Sequence, residues 1–144
     1  MFSRLVVPDS LLEEVIAHAR REAPLECCGL LAGQAAGGVG AAAARCEIGN
    51  AARSATAYET DARDMLYAFR WMRERGYELL AIYHSHPTSD PIPSARDVER
   101  NTYGESVVHV IVGLAGAAPT VRAWRLTEAG CRAVELIRAG PAAE

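Results

Sequence analysis

The chain has 144 residues, half of them apolar and 23% charged, with a formal net charge of -3. That length and balance suit one domain with a single substantial core, and the slight acidity argues against a nucleic-acid-binding surface. Residues 1–7 lack the apolar centre of a signal peptide, and no run approaches the roughly 18 apolar residues that cross a bilayer. A soluble, cytoplasmic protein without membrane partners is therefore expected.

Leu5-Val6-Val7 reads as a first strand, stopped by Pro8. Asp9 or Ser10 is placed to cap a helix running to about Ala23, with Leu11, Leu12, Val15, Ile16 and Ala19 on one face. His18 falls beside that stripe and is expected to be structural and partly exposed, because no second ligand lies one turn away. Pro24 closes the helix, and the apolar run up to Gly33 reads as a central strand with Glu26 at its mouth. Taken alone, Glu26 reads as a solvated loop carboxylate. Residues 34–40 form a Gly/Ala-rich hairpin connection that lacks the phosphate-cradling G-x-x-x-x-G-K-[ST] pattern. A weakly marked strand over 41–48 follows, then a polar loop over 49–58 that could border a substrate groove.

Thr60 or Asp61 caps a second helix to about Arg75, with Met65, Leu66, Phe69 and Met72 assigned to its core face and Arg70, Arg73 and Arg75 to solvent. The apolar run 79–83 reads as a buried strand leading into the richest stretch of the chain, His84-Ser85-His86-Pro87-Thr88-Ser89-Asp90-Pro91-Ile92-Pro93-Ser94-Ala95-Arg96-Asp97. Alternation along a strand puts His84 and His86 on one face with Ser85 opposed. Three prolines then impose an ordered loop, and Ser94-x-x-Asp97 carries a helix-start pattern that turns Asp97 back toward the histidines. Two His and one Asp suit zinc with a fourth position left for water, which is the pattern of a catalytic site. Such a site also needs a general base, and Glu26 is the candidate.

A helix from Ser94 to about Tyr103, a β-branched strand over 107–112 and a terminal hairpin (120–126 and 131–137) complete the chain, with a frayed tail over 139–144. His109 is expected to be a packed strand histidine, with a role in orienting a ligand left open. Four cysteines, Cys27, Cys28, Cys46 and Cys131, show no C-x-x-C spacing and read as buried thiols. The order of elements predicts a mixed sheet with helices packed on it, in the α/β or α+β class.

Glu26, then His84-x-His86-Pro87 with Ser94-x-x-Asp97, resembles the JAMM motif of the MPN (Mov34/PAD-1) zinc metalloprotease family. The flank Pro24-x-Glu26-x-Cys28-Gly29 is similar to that of small prokaryotic members. The resemblance covers nearly the whole chain as a single domain. It implies a cytidine-deaminase-like α/β fold, a curved mixed sheet flanked by helices. It implies zinc held by His84, His86 and Asp97, Glu26 as general acid/base, and Ser94 stabilising the oxyanion, although Ser94 also reads as a helix cap. The implied substrate is a ubiquitin-like or sulfur carrier protein cut after its C-terminal Gly-Gly, by a monomer or weak homodimer. Metal-free scaffold MPN domains typically lose one of these positions, and all five are kept here. A zinc deaminase would need His-x-Glu and Pro-Cys-x-x-Cys, both missing. A RadC-like protein would carry Asn and Gly where Ser85 and Ser89 stand.

Overall fold

The computed structural model describes residues 1–140, and no helix among them is long and apolar enough to cross a membrane. Seven strands are ordered β1-β3-β2-β4-β5-β6-β7 and close into a barrel. They are β1 (Arg4–Pro8), β2 (Cys28–Ala36), β3 (Val39–Ile48), β4 (Glu78–His86), β5 (Val108–Gly113), β6 (Thr120–Thr127) and β7 (Gly130–Ala139). The pairing is mixed: β1 runs parallel to both β3 and β7, β4 runs parallel to β5, and the remaining neighbours are antiparallel. The α/β reading of the sequence holds, and the sheet goes beyond a curved open one because β1 bridges β3 and β7. Closure leaves no free sheet edge between these strands.

Three helices, α1 (Asp9–Glu22), α2 (Ala62–Glu74) and α3 (Ala95–Glu99), occupy different sides of that wall. The cluster holding Leu11, Leu12, Val15, Ile16 and Ala19 of α1 takes residues from all seven strands, among them Leu5, Leu31, Ala42, Leu80, Val108, Ala123 and Val134. Only the barrel interior can be shared in this way, so α1 fills it. Helix α2 covers the outer face, where Met65, Ala68 and Met72 meet Cys28, Leu30 and Ile82. Beyond β5, Val98 of α3 packs against Ile111, Trp124 and Leu126. The candidate site lies on the outer face between α2 and α3.

Several local expectations are corrected. Pro8 belongs to β1 and stands at the N-cap of α1, where no side chain caps the helix, so neither Asp9 nor Ser10 has that role. Asp61 does cap α2, accepting from the Asp64 N–H. Leu66 and Phe69 are exposed and Ala68 takes the core position, because α2 touches the sheet along 65, 68 and 72. Helix α3 ends at Glu99, short of Tyr103. The terminal hairpin is present as β6 and β7, but Ala139, expected to begin the frayed tail, still belongs to β7, and the rest of that tail beyond Gly140 lies outside the described residues. Cys27 and Cys28 are buried, whereas Cys46 is half-buried and Cys131 exposed.

Candidate metal centre

Strand alternation places the site. Val108 and Val110 point into the barrel, so His109 and Ile111 face outward, and the register sets Ile82 beside His109 and His84 beside Ile111. His84 and His86 share this outer face. Ser85, on the opposite side, is fully buried, and its hydroxyl accepts the Cys27 N–H at 2.8 Å. That bond ties β4 to the segment carrying Glu26.

The loop after His86 is held at two points. The Asp90 carbonyl lies 2.8 Å from His86 Nδ1, and the Trp124 indole N–H donates to the Pro91 carbonyl at 2.9 Å. Pro91 packs onto Gly113, where a Cβ would stand 2.6 Å from the proline ring. The loop delivers Ser94 to the start of α3 in a full capping box. Ser94 Oγ accepts the Asp97 N–H at 3.1 Å, and the Asp97 carboxylate accepts the Ser94 N–H at 2.9 Å. The cap expected for Ser94 is therefore present.

These elements bring His84 Nε2, His86 Nε2 and Asp97 Oδ2 into a triangle whose three edges are each 3.2 Å. Ligands about 2.0–2.1 Å from a tetrahedral zinc stand about 3.3–3.4 Å apart, which the triangle closely matches. The donor chemistry agrees. With Nδ1–H of a neutral His86 given to the Asp90 carbonyl, Nε2 presents a lone pair to the Asp97 oxygen and to His84 Nε2. Three electron-rich atoms at this spacing need a cation, or a proton, among them. The residues present fit a zinc ion.

The electrostatics reflect the same crowding. Burial lowers the His84 pKa, outweighing the opposing pull of Asp97. His86 is also disfavoured as a cation by burial, yet the Asp97 and Asp90 contacts leave it raised. Burial works to raise Asp97, but hydrogen bonds from His84 and His86 hold its carboxyl well below the usual carboxylate range. Tyr58 stacks on the His84 ring with centroids 4.5 Å apart and closes that side.

Glu26 is not the solvated carboxylate its position alone suggests. It is 4% exposed, its Oε1 is buried without a partner among the described residues, and burial pushes its carboxyl up to about 7 against the pull of His86. Its backbone is fixed by a bond from its N–H to the Ser54 carbonyl at 2.9 Å and by Asn50 Nδ2 donating to its carbonyl at 3.0 Å. Burial pushes Cys27 up to about 11 and Cys28 up to about 12, so neither supplies a thiolate at neutral pH. His109 is buried and packed as expected, but neither of its ring nitrogens has a partner among the described residues. Tyr58, Asn50 and Trp124 were not singled out from the sequence. A polar loop and a strand tryptophan carry no local signal of what they will touch.

A His-His-Asp cluster that could hold a metal ion, on the outer wall of a small mixed α/β barrel, defines a class, and the comparisons place the chain within it. A family model described as prokaryotic homologs of the JAB domain matches residues 8–127. The chain belongs to this family, as a small prokaryotic-type member of the JAMM/MPN group. A Thermus thermophilus protein named as a probable TtuB-protein conjugate cleaving protease is 40% identical over 125 residues, which is 86% of this chain and 77% of the relative. The CysO-cysteine peptidase of Mycobacterium tuberculosis is 37% identical over 98 residues, 68% of this chain and 66% of the relative. The desampylase of Haloferax volcanii is 36% identical over 106 residues, 70% of this chain and 75% of the relative. A solution structure of a Desulfitobacterium hafniense protein superposes with a TM-score of 0.87 at 29% identity, covering 95% of this chain and 94% of that one.

Proposed function

We propose that the chain is a zinc-dependent metallopeptidase of the isopeptidase kind, hydrolysing the peptide or isopeptide bond that follows the C-terminal Gly-Gly of a ubiquitin-like or sulfur carrier protein. The observation that carries this reading is the equilateral triangle of His84, His86 and Asp97 atoms, with a buried Glu26 whose carboxyl ionises near 7. The relatives named for cleaving such conjugates, TtuB-protein conjugates and CysO-cysteine among them, support the substrate class.

His84, His86 and Asp97 would hold the metal. When bound, zinc supplies Lewis acidity and lowers the pKa of a coordinated water to about 7. Glu26 is matched to that value: ionised it accepts a proton, and once protonated it returns the proton to the departing amine nitrogen. The net change breaks the C–N bond and adds one water, giving a free carboxylate on the terminal glycine and a free amine. Ser94 spends its oxygen lone pair on the Asp97 N–H and keeps its own hydroxyl proton to donate to the carbonyl oxygen. The extended tail contributes its backbone, which is why glycines suffice beside the metal.

The test pairs metal content with cleavage of a sulfur carrier extended past its Gly-Gly, followed by mass spectrometry, in wild type and Glu26→Gln. The expected outcome is about one zinc per chain in both proteins, with the rate of Glu26→Gln reduced about 10²–10⁴-fold. A chain that takes up no zinc after reconstitution would sink the mechanism. Zinc with undiminished cleavage by Glu26→Gln would remove Glu26 from it.

A further inference from the structure

Beside the metal triangle, on the same outer face, lies a cavity of about 440 Å³. Ile82 and His109, paired across β4 and β5, line it together with Tyr58, Tyr103, Arg96, Arg100 and one exposed acid, Glu59. Of the proposed catalytic and metal-binding residues only Asp97 contributes to the wall, while Glu26, His86 and Ser94 lie outside it.

Two features of this cavity are unspent. His109 is 2% exposed, and both of its ring nitrogens lack partners among the described residues. Burial pushes its pKa down to about 4, so at neutral pH the imidazole offers one donor and one acceptor. Arg96 and Arg100 stand one helical turn apart, are exposed, and make no ion pair with an acidic side chain among the described residues. The end of a Gly-Gly tail has no side chain with which to fill such a volume.

The position of Glu26 decides which part of the substrate enters. Glu26 must reach the departing nitrogen, and it does not border the cavity. The leaving group is thus directed toward Glu26 and the acyl tail toward the cavity. Two extended glycines span about 7 Å from the scissile carbonyl, and of the next two residues one must face the cavity, since side chains alternate. We propose that this cavity reads the carrier tail just ahead of its Gly-Gly, and that the side chain it selects is acidic or a carboxamide, held by Arg96, Arg100 and His109. A basic side chain there would meet two guanidinium groups against one carboxylate, Glu59, that the histidines do not already engage. This inference rests on the hydrolase reading above and adds to it a sequence preference.

The experiment uses hexapeptides ending in Gly-Gly, with Glu, Gln, Ala or Arg at the third or fourth residue from the end, titrated into the full chain and followed by fluorescence anisotropy. The same peptides with one added C-terminal residue are assayed for cleavage. At one of the two positions, Glu and Gln peptides are expected to bind at least tenfold more tightly than the Arg peptide. The double variant Arg96→Ala/Arg100→Ala should reduce that preference to less than threefold. His109→Phe should raise KM for the Gln peptide more than it changes kcat, with His109→Asn restoring part of the loss. Equal binding of all four peptides at both positions, or a preference that survives the double variant, overturns the proposal. Should His109→Phe not fold, the two exposed arginines still carry the test. Peptides that bind with the stated preference but are never cut would overturn the hydrolase reading and leave the cavity's preference standing. Peptides cut without preference would do the reverse.

Discussion

Tyr83 and His84 are neighbours on β4, yet they lead into opposite kinds of histidine environment. On the inner face, Tyr83 reaches under α1 and its hydroxyl lies 2.7 Å from Nδ1 of His18, which is only 2% exposed. The tyrosine ring has room because position 29 is glycine, where a Cβ would fall 2.2 Å from the ring. His18 Nε2 lies 3.5 Å from Glu47, and Glu47 in turn takes Arg21 at 2.5 Å and Arg45 at 2.7 Å. On the outer face, apart from the bonds to Asp90 and Ser94, capacity is left over: three electron-rich atoms share a 3.2 Å triangle, and His84 Nδ1 and Glu26 Oε1 have no partner among the described residues. Burial alone therefore does not mark a reactive histidine. What separates the two sites is whether the protein itself satisfies every polar atom it has buried.

The largest stability effect that would sharpen this contrast is a pH dependence of opposite sign on the two faces, measured on metal-free protein. Burial raises Glu26 to about 7, so the native state keeps a proton that the unfolded chain releases above about 4.5. Its contribution is full below that lower value and declines by up to about 3 kcal/mol as pH climbs through 7. Glu26→Gln should flatten that decline in urea unfolding at pH 5 and pH 8. His18, lowered chiefly by burial, has the reverse sign: its contribution is present above 6.5 and fades as pH falls below it. Parallel profiles for wild type and Glu26→Gln would mean that burying this carboxyl is not where the strain resides.

Next in size is Tyr83→Phe, which leaves a buried His18 nitrogen without its partner while keeping the ring. The expected cost is about 1–3 kcal/mol in chemical unfolding. Zinc content and turnover should not move, because the lost hydroxyl faces the barrel interior. A parallel fall in metal content would show that the two faces of β4 are coupled.

This division also explains what the sequence revealed. The outer-face site is written locally: His84 and His86 two residues apart on a strand, then Ser94 and Asp97 three apart at a helix start, are geometry that periodicity and capping rules decode. The core face of α1 was legible for the same reason. The burial of Glu26 and His18 was not, because it is decided by segments far away in the chain, residues 50–58 for the one and Tyr83 for the other. Helix α2 misled through its own richness. Leu66 and Phe69 are as apolar as Met65 and Met72, and only the docking of Ala68 against the sheet settles which stripe is inside. Closure of the barrel depends on β1 pairing with β7 across more than a hundred residues, and no window of sequence contains both.

The smallest of these stability effects separates two functions carried by one side chain. Ser94 Oγ caps α3 and, on the proposed mechanism, its hydroxyl proton also serves the carbonyl oxygen of the substrate. Ser94→Ala removes both and should cost about 1 kcal/mol of stability, whereas Ser94→Gly removes the same hydroxyl but costs only about a few tenths, because glycine is tolerated at an N-cap. If the hydroxyl acts on the substrate, the two variants lose turnover equally, about 10²–10³-fold, despite their different melting temperatures. If Ser94 merely holds Asp97 in place, turnover and zinc affinity follow stability instead, and the glycine variant retains more of both. Equal rates at unequal stability would thus assign the hydroxyl to the reaction, and rates that track stability would return it to the helix cap.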